Sequence, residues 1–267
     1  METIPSLVAA PPVATAAGAS HPRRREGTTM DQQLDAQRVL VVGGARDLGL
    51  AIARAVTAAG ATAIVGARDA DRAAAAAEGV DRAEAVRIDV TDESSISAAL
   101  HQVGAVDHVV VTASAHHNVP VTELDHDRTV TAFEAKVIGP LLVAKHAAPR
   151  LPAHGSIVLF SGVAAWHPAP GYTVMGITNG AVAFAVQHLA AELAPVRVNA
   201  VSPGIVDSGS WDRLGAGKDA FLAGAAQGTL VGRTGTRDDV TDAVVWLLGA
   251  GFVSGETIHV EGGARLR

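Results

Sequence analysis

The sequence predicts an α/β fold: a single Rossmann-type doubly wound domain with a seven-stranded parallel sheet flanked by helices. Three observations carry that expectation. Short β-branched runs alternate with longer alanine-rich stretches of helical character. The runs are apolar on both faces, as strands covered by helices on each side must be. A glycine-rich turn joins the first run to the first helical stretch, where a doubly wound sheet opens its binding crevice. At 267 residues, 48% hydrophobic and 18% charged, the chain can bury the core of one full-sized domain and requires no second.

Taken in order, residues 1–35 read as a disordered N-terminal tail and 36–267 as the folded domain. The tail is rich in Ala, Pro, Ser and Thr and has no helical or strand period. Its "RRR" follows a proline-broken segment, the reverse of a secretory leader, and Met30 is an alternative start. The expected strands are "RVLVVGG", "TAIVGA", "AVRIDV", "VDHVVVTA", "GSIVLFS", "VRVNAVS" and "TIHVEG". Helical stretches such as "LGLAIARAVTAAG" and "GAVAFAVQHLAAELA" fill the gaps. No window reads as an uninterrupted membrane span.

Composition narrows the function. A net charge of −6 with no basic block in the folded part leaves no electrostatic footprint for nucleic acid, so a small-molecule partner is expected, without nucleic acid or membrane. The absence of cysteine excludes disulfides and thiolate catalysis and fits a cytoplasmic protein. There is no metal-ligand spacing, no G-x-S-x-G elbow and no G-K-[ST] phosphate loop.

The first strand runs into "VVGGARDLGLAIARA", placing glycines where the chain turns tightly and lets phosphate oxygens approach a helix N-terminus. "VGARD" ends the second strand and "IDVTD" the third; "RVNAVSPGIVDS" and "VSGETIHVEGG" come later. With these motifs in this order, the chain resembles the short-chain dehydrogenase/reductase family over nearly its whole globular length. The resemblance implies a nicotinamide dinucleotide in the crevice, contacted by Gly43, Arg46, Leu48, Gly49, Arg68, Asp89, Val90, Pro203 and Gly204. Arg46 and Arg68 stand where NADP-preferring members place basic residues, and Ala67 replaces the acid that would bind a free ribose hydroxyl, so NADP(H) is expected. The middle glycine of the first motif is Asp47, a carboxylate that must point away or pair with Arg46 to tolerate a diphosphate. Asp89 has an alternative role as a helix cap, which Asp92 could also fill.

The catalytic segment departs from the family. In "PGYTVMGITNGAV", Met175 occupies the position of the acid tyrosine and Asn179 that of the lysine. The family's catalytic serine aligns with Gly162, or with Ser161 after a shift of one residue, and its asparagine position holds Lys136. Asparagine and lysine have thus exchanged places, so one ammonium and one amide would still reach the pocket from two helices. Methionine cannot donate a proton. The alternative donors are Lys136, Tyr172 one helical turn before Met175, and the histidines at strand carboxyl ends, His116, His117 and His167. Two functions stand open: an NADP(H)-dependent oxidoreductase of a small carbonyl or alcohol with a non-standard proton donor, or a redox-silent protein of the same fold, such as a dehydratase, a cyclase or a binding subunit. The resemblance implies a substrate lid formed by the loop after the fifth strand and the segment after "SPG", with Trp166, Trp211 and Phe221 lining or covering the pocket, and a homotetramer or homodimer.

Overall fold

A computed structural model describes residues 33–267. The sheet has seven parallel strands in the order β3-β2-β1-β4-β5-β6-β7, the doubly wound arrangement expected. Its strands are β1 (Arg38–Val42), β2 (Thr62–Ala67), β3 (Ala83–Arg87), β4 (His108–Val111), β5 (Ser156–Phe160), β6 (Arg197–Pro203) and β7 (Thr257–Val260). The chain builds outward in one direction from β1 to β3, then returns to place β4 on the other side of β1. That reversal opens a crevice above the carboxyl ends of β1 and β4.

Alternation along each strand divides the core into two layers. Leu40, Ile64, Val109, Ile157 and Val198 face one side of the sheet, and Val39, Val41, Val110, Val158 and Val201 face the other. The first layer is closed by α3 (Glu93–Val103), α5 (Gly139–Ala147) and α6 (Thr173–Glu192), the second by α1 (Asp47–Ala58) and α8 (Arg237–Gly249). Two shorter helices, α2 (Ala70–Glu78) and α4 (His126–Phe133), and a last one, α7 (Lys218–Gln227), complete the set. Arg197, buried at the start of β6, donates to the carbonyls of Leu247, Leu248 and Ala250, which closes the C-terminal end of α8.

Three expectations shift. The folded part begins before residue 36: Leu34 is fully buried and Gln33 Nε2 donates to the Val245 carbonyl at 3.3 Å. The remainder of the expected tail, 1–32, lies outside the described residues. The third strand occupies 83–87 rather than 85–90, because its register with Ala63–Ala67 of β2 exhausts the pairing at Arg87. Asp89 and Val90 are thereby released into the loop at the carboxyl edge. Among the described helices, α6 is long and apolar enough to cross a membrane, with a mean hydropathy of 1.3, against the expectation of no such window. Its Val174, Met175, Val182, Ala183 and Val186 are buried, the placement of a core helix.

Aspartates start three of the helices. Asp69 accepts from the Asp71 and Arg72 amides at α2, Asp92 from the Ser94 and Ser95 amides at α3, and Asp125 from the Arg128 amide at α4. Helix α1 has no such side-chain cap. The N-terminal amides of α1 therefore open toward the glycine turn, an arrangement suited to an anion.

Candidate functional site

The glycine turn is built to let backbone approach backbone. The Gly43 and Gly44 amides both donate to the Gly66 carbonyl, at 2.9 and 3.0 Å, which locks the turn to β2. Gly43 sits at φ +90°, and a Cβ there would lie 2.6 Å from Thr112 Oγ1. A Cβ on Gly49 would collide with the Gly43 carbonyl. Both glycines are thus required by space, and Leu48 anchors the turn by packing on the core beneath. Arg46 is exposed on the turn, its Nε 3.7 Å from the Asp47 carboxylate.

Arg68 follows the second strand directly; it is exposed and makes no hydrogen bond or ion pair among the described residues. Asp89 accepts from the Thr91 amide and hydroxyl at 3.0 and 2.8 Å, while Asp92 alone caps α3, so the capping alternative for Asp89 falls away. Val90 is buried, and its carbonyl lies 2.5 Å from where a Cβ on Gly139 would stand. Pro203 and Gly204 close β6, the Gly204 amide donating to the Val260 carbonyl at 3.0 Å.

Lys136 owes its position to a distorted helix. Residues Glu134–Ile138 form a π turn between α4 and α5, in which the Gly139 amide donates to the Glu134 carbonyl. Pro140 follows immediately; it has no N–H to give the Lys136 carbonyl and its ring would press on that oxygen, so the chain widens there. The Lys136 side chain turns inward and is 7% exposed. Its Nζ donates to the Ser161 carbonyl at 3.3 Å, and burial pulls its pKa down from 10.5 to about 8.

Ser161 joins the two exchanged residues. While its carbonyl accepts from Lys136, its Oγ donates to the Asn179 carbonyl at 2.8 Å. No direct Lys136–Asn179 hydrogen bond forms, and the expected link between ammonium and amide is absent: Ser161 ties Lys136 to the backbone carbonyl of Asn179 and leaves the side-chain amide untouched. Asn179 is 3% exposed, and its Oδ1 is buried without a partner. A Cβ on Gly162 would lie 2.8 Å from Asn179 Nδ2: the amide occupies the space a serine at 162 would need. Gly162 has φ 169°, extended backbone open to any residue, so the glycine is required by the Asn179 side chain and not by conformation. Met175 lies buried one turn earlier on α6.

The remaining donors are placed less favourably. Tyr172 precedes α6 as its N-cap, is 36% exposed, and its side chain makes no hydrogen bond to Lys136, Ser161 or Asn179. His167 is exposed, tied only through its backbone amide to the Val163 carbonyl. His117 is structural: its Nε2 accepts from the Asp125 amide at 3.1 Å at the start of α4. His116 has an exposed edge, yet desolvation of its ring, followed by the positive fields of Lys136, Arg213 and Arg46, holds its pKa below the ordinary imidazole value. Those three cations come from the π turn, the lid segment after β6 and the glycine turn. Trp211 and Phe221 pair in that lid with ring centroids 4.5 Å apart. Trp166 instead stands edge-on to His259 at 4.9 Å and lines a cavity of about 530 Å³ with Phe184, Gln187 and Thr257. Arg213, over the Trp211 ring at 5.7 Å, and Arg237, which donates to the Ser208 carbonyl at 3.0 Å, carry no local signature in the sequence; tertiary packing places both beside the segment after β6.

A doubly wound sheet with a glycine-locked turn, exposed basic groups beside it and a buried ammonium at the end of β5 defines a dinucleotide-type oxidoreductase fold. Residues 43–265 match the family described as enoyl-(acyl carrier protein) reductase. An uncharacterised oxidoreductase of Methylorubrum extorquens is 32% identical over 87% of this chain and 99% of its own length. A short-chain reductase of Streptomyces niveus, NovJ, is 31% identical over 84% of this chain and 92% of its own. Among solved structures, a small-chain dehydrogenase in complex with NADPH superposes with a TM-score of 0.76 at 27% identity, covering 87% of this chain and 100% of that one. The chain belongs to the short-chain dehydrogenase/reductase family.

Proposed function

We propose that this protein is an NADP(H)-dependent oxidoreductase acting on a small carbonyl or alcohol, with the Lys136 ammonium as its proton donor. The single observation that carries the reading is the buried Lys136 amine, bonded to Ser161 at the carboxyl end of β5, with a pKa of about 8. An acid with that pKa is protonated at neutral pH and close enough to it for proton transfer. Arg46, paired with Asp47 at 3.7 Å, and Arg68, both exposed beside the glycine turn, would hold the 2′-phosphate by charge-assisted hydrogen bonds, and a similar dehydrogenase is known in complex with NADPH. The bound dinucleotide would supply the hydride. Lys136 would protonate the carbonyl oxygen, Ser161 would keep Lys136 and Asn179 in one frame, and the Asn179 Oδ1, otherwise unpaired, would accept a hydrogen bond from substrate or ribose.

The redox-silent alternative is favoured by Asp47 in the turn and Met175 in place of an acid. Fluorescence titration separates the two: NADPH binding tighter than NADH supports the proposal, and binding of neither nucleotide supports the alternative. Carbonyl reduction should weaken as pH rises through about 8, where Lys136 loses its proton, while alcohol oxidation, which needs the neutral amine, should strengthen. A pH–rate profile without an inflection near 8 would remove Lys136 from the chemistry. We also place the protein in the cytoplasm as a homodimer or homotetramer; Ile138, Leu141, Ile177 and Phe184 leave apolar surface exposed on the π turn, α5 and α6, which a second copy would cover.

A further inference from the structure

Asp47 has no part in the chemistry above, and a carboxylate is the least suitable group beside a diphosphate. It nevertheless begins α1 at φ +49°, in the left-handed region where glycine is at ease. Its side chain does not simply turn to solvent. Asp47 Oδ1 lies 3.1 Å from the point where a Cβ on Gly209 would stand, and Arg237 Nη2 lies 3.1 Å from the same point. Gly209, at φ +102°, is thus crowded by an acid from the glycine turn and a base from α8, which exclude any side chain there.

The segment around Gly209 is the root of the lid, and it is held firmly. Arg237 Nε donates to the Ser208 carbonyl at 3.0 Å, Trp211 Nε1 to the Val206 carbonyl at 2.9 Å, and Lys218 reaches Asp207 and Asp212 at 2.8 and 2.7 Å. Asp47 brings the wall of the glycine turn against this root by close approach, without a hydrogen bond or ion pair to it among the described residues. It also lies 3.7 Å from Arg46, one of the two exposed arginines that the reading above assigns to a nucleotide phosphate.

We propose that Asp47 is a latch that sets nucleotide affinity: its carboxylate, which lies against the lid root at Gly209 and engages Arg46, must yield both contacts when a dinucleotide enters. The inference rests on the NADP(H) reading above. A diphosphate approaching the turn meets Asp47 as a like charge, and a 2′-phosphate competes with Asp47 for Arg46. Removing the carboxylate should therefore help NADPH more than NADH, since NADH has no 2′-phosphate to claim Arg46.

The test compares wild type with Asp47→Gly and Asp47→Asn, both of which suit a left-handed backbone and should fold. NADPH and NADH affinities are read by fluorescence titration, and amide hydrogen exchange at residues 207–217 is read without nucleotide. Both variants should bind NADPH more tightly, by about tenfold for loss of one like charge near a phosphate, with a smaller gain for NADH. The Asp212 and Leu214 amides, which donate within the lid root to Gly209 and Trp211, should exchange faster. Unchanged or weaker NADPH binding in both variants would overturn the affinity role, and unchanged exchange would overturn the latch. Should wild type and variants all fail to bind either nucleotide, the cofactor reading falls and the exchange result decides the latch by itself.

Discussion

Replacing Lys136 by methionine exchanges one long apolar stem for another and deletes only the ammonium. Burial alone lowers the Lys136 pKa from 10.5 to about 8, so holding it charged at pH 7 costs about 3 kcal/mol relative to the unfolded chain. The variant is freed of that cost but loses the hydrogen bond to the Ser161 carbonyl, worth about 1–2 kcal/mol with the orphaned acceptor counted. The net expectation is a protein about 1–2 kcal/mol more stable at pH 7, a rise in Tm of about 2–8 °C for a domain of this size, and inactive in carbonyl reduction. The sign with pH follows from linkage. Between pH 8 and 10.5 the unfolded chain binds the proton that the folded protein has lost, so wild-type stability rises with pH across that window and the advantage of the variant shrinks. Thermal unfolding of both proteins at pH 7 and pH 10 reads the difference directly. A variant less stable than wild type at pH 7 by a margin that does not change with pH would show that Lys136 bears no burial cost, and would refute the reasoning.

Other outcomes follow from the same structure. Gly162→Ser should destabilise by about 1–3 kcal/mol, because its Cβ lands 2.8 Å from Asn179 Nδ2; adding Asn179→Ala should recover most of the loss, and a double-mutant cycle showing additive effects would contradict the shared space. His108 is fully enclosed, with Nδ1 2.8 Å from Ser156 Oγ and Nε2 2.8 Å from Gln37 Oε1, and burial lowers its pKa from 6.5 to about 4. It stays neutral in the fold while the unfolded chain takes up a proton below pH 6.5, so stability should fall by about 3 kcal/mol as pH drops from 6.5 to 4. Denaturant unfolding across that range checks it, and His108→Gln should flatten the slope.

Much of the fold could be read from the chain alone because its signals are local. Strands with both faces apolar, glycines at the end of β1 and aspartates ahead of α2 and α3 each act within a few residues, and the order of strands and helices leaves few topologies open. The exchange of Lys136 and Asn179 was likewise visible as two residue types out of place. What they do with one another was not. Pairing with β2 decided that the third strand stops at Arg87, and a core contact decided that Leu34 belongs to the domain. Only packing between β5 and α6 shows that Gly162 exists to admit the Asn179 amide, and that Ser161, by its carbonyl and its hydroxyl, stands between Lys136 and Asn179. Burial, which sets the acidity of Lys136 and His108, is a property of everything that surrounds a side chain, and those surroundings come from distant parts of the chain. Asp47 could be recognised as misplaced from its neighbours, but its contact at Gly209 required the crevice to close, bringing the turn after β1 against the segment after β6.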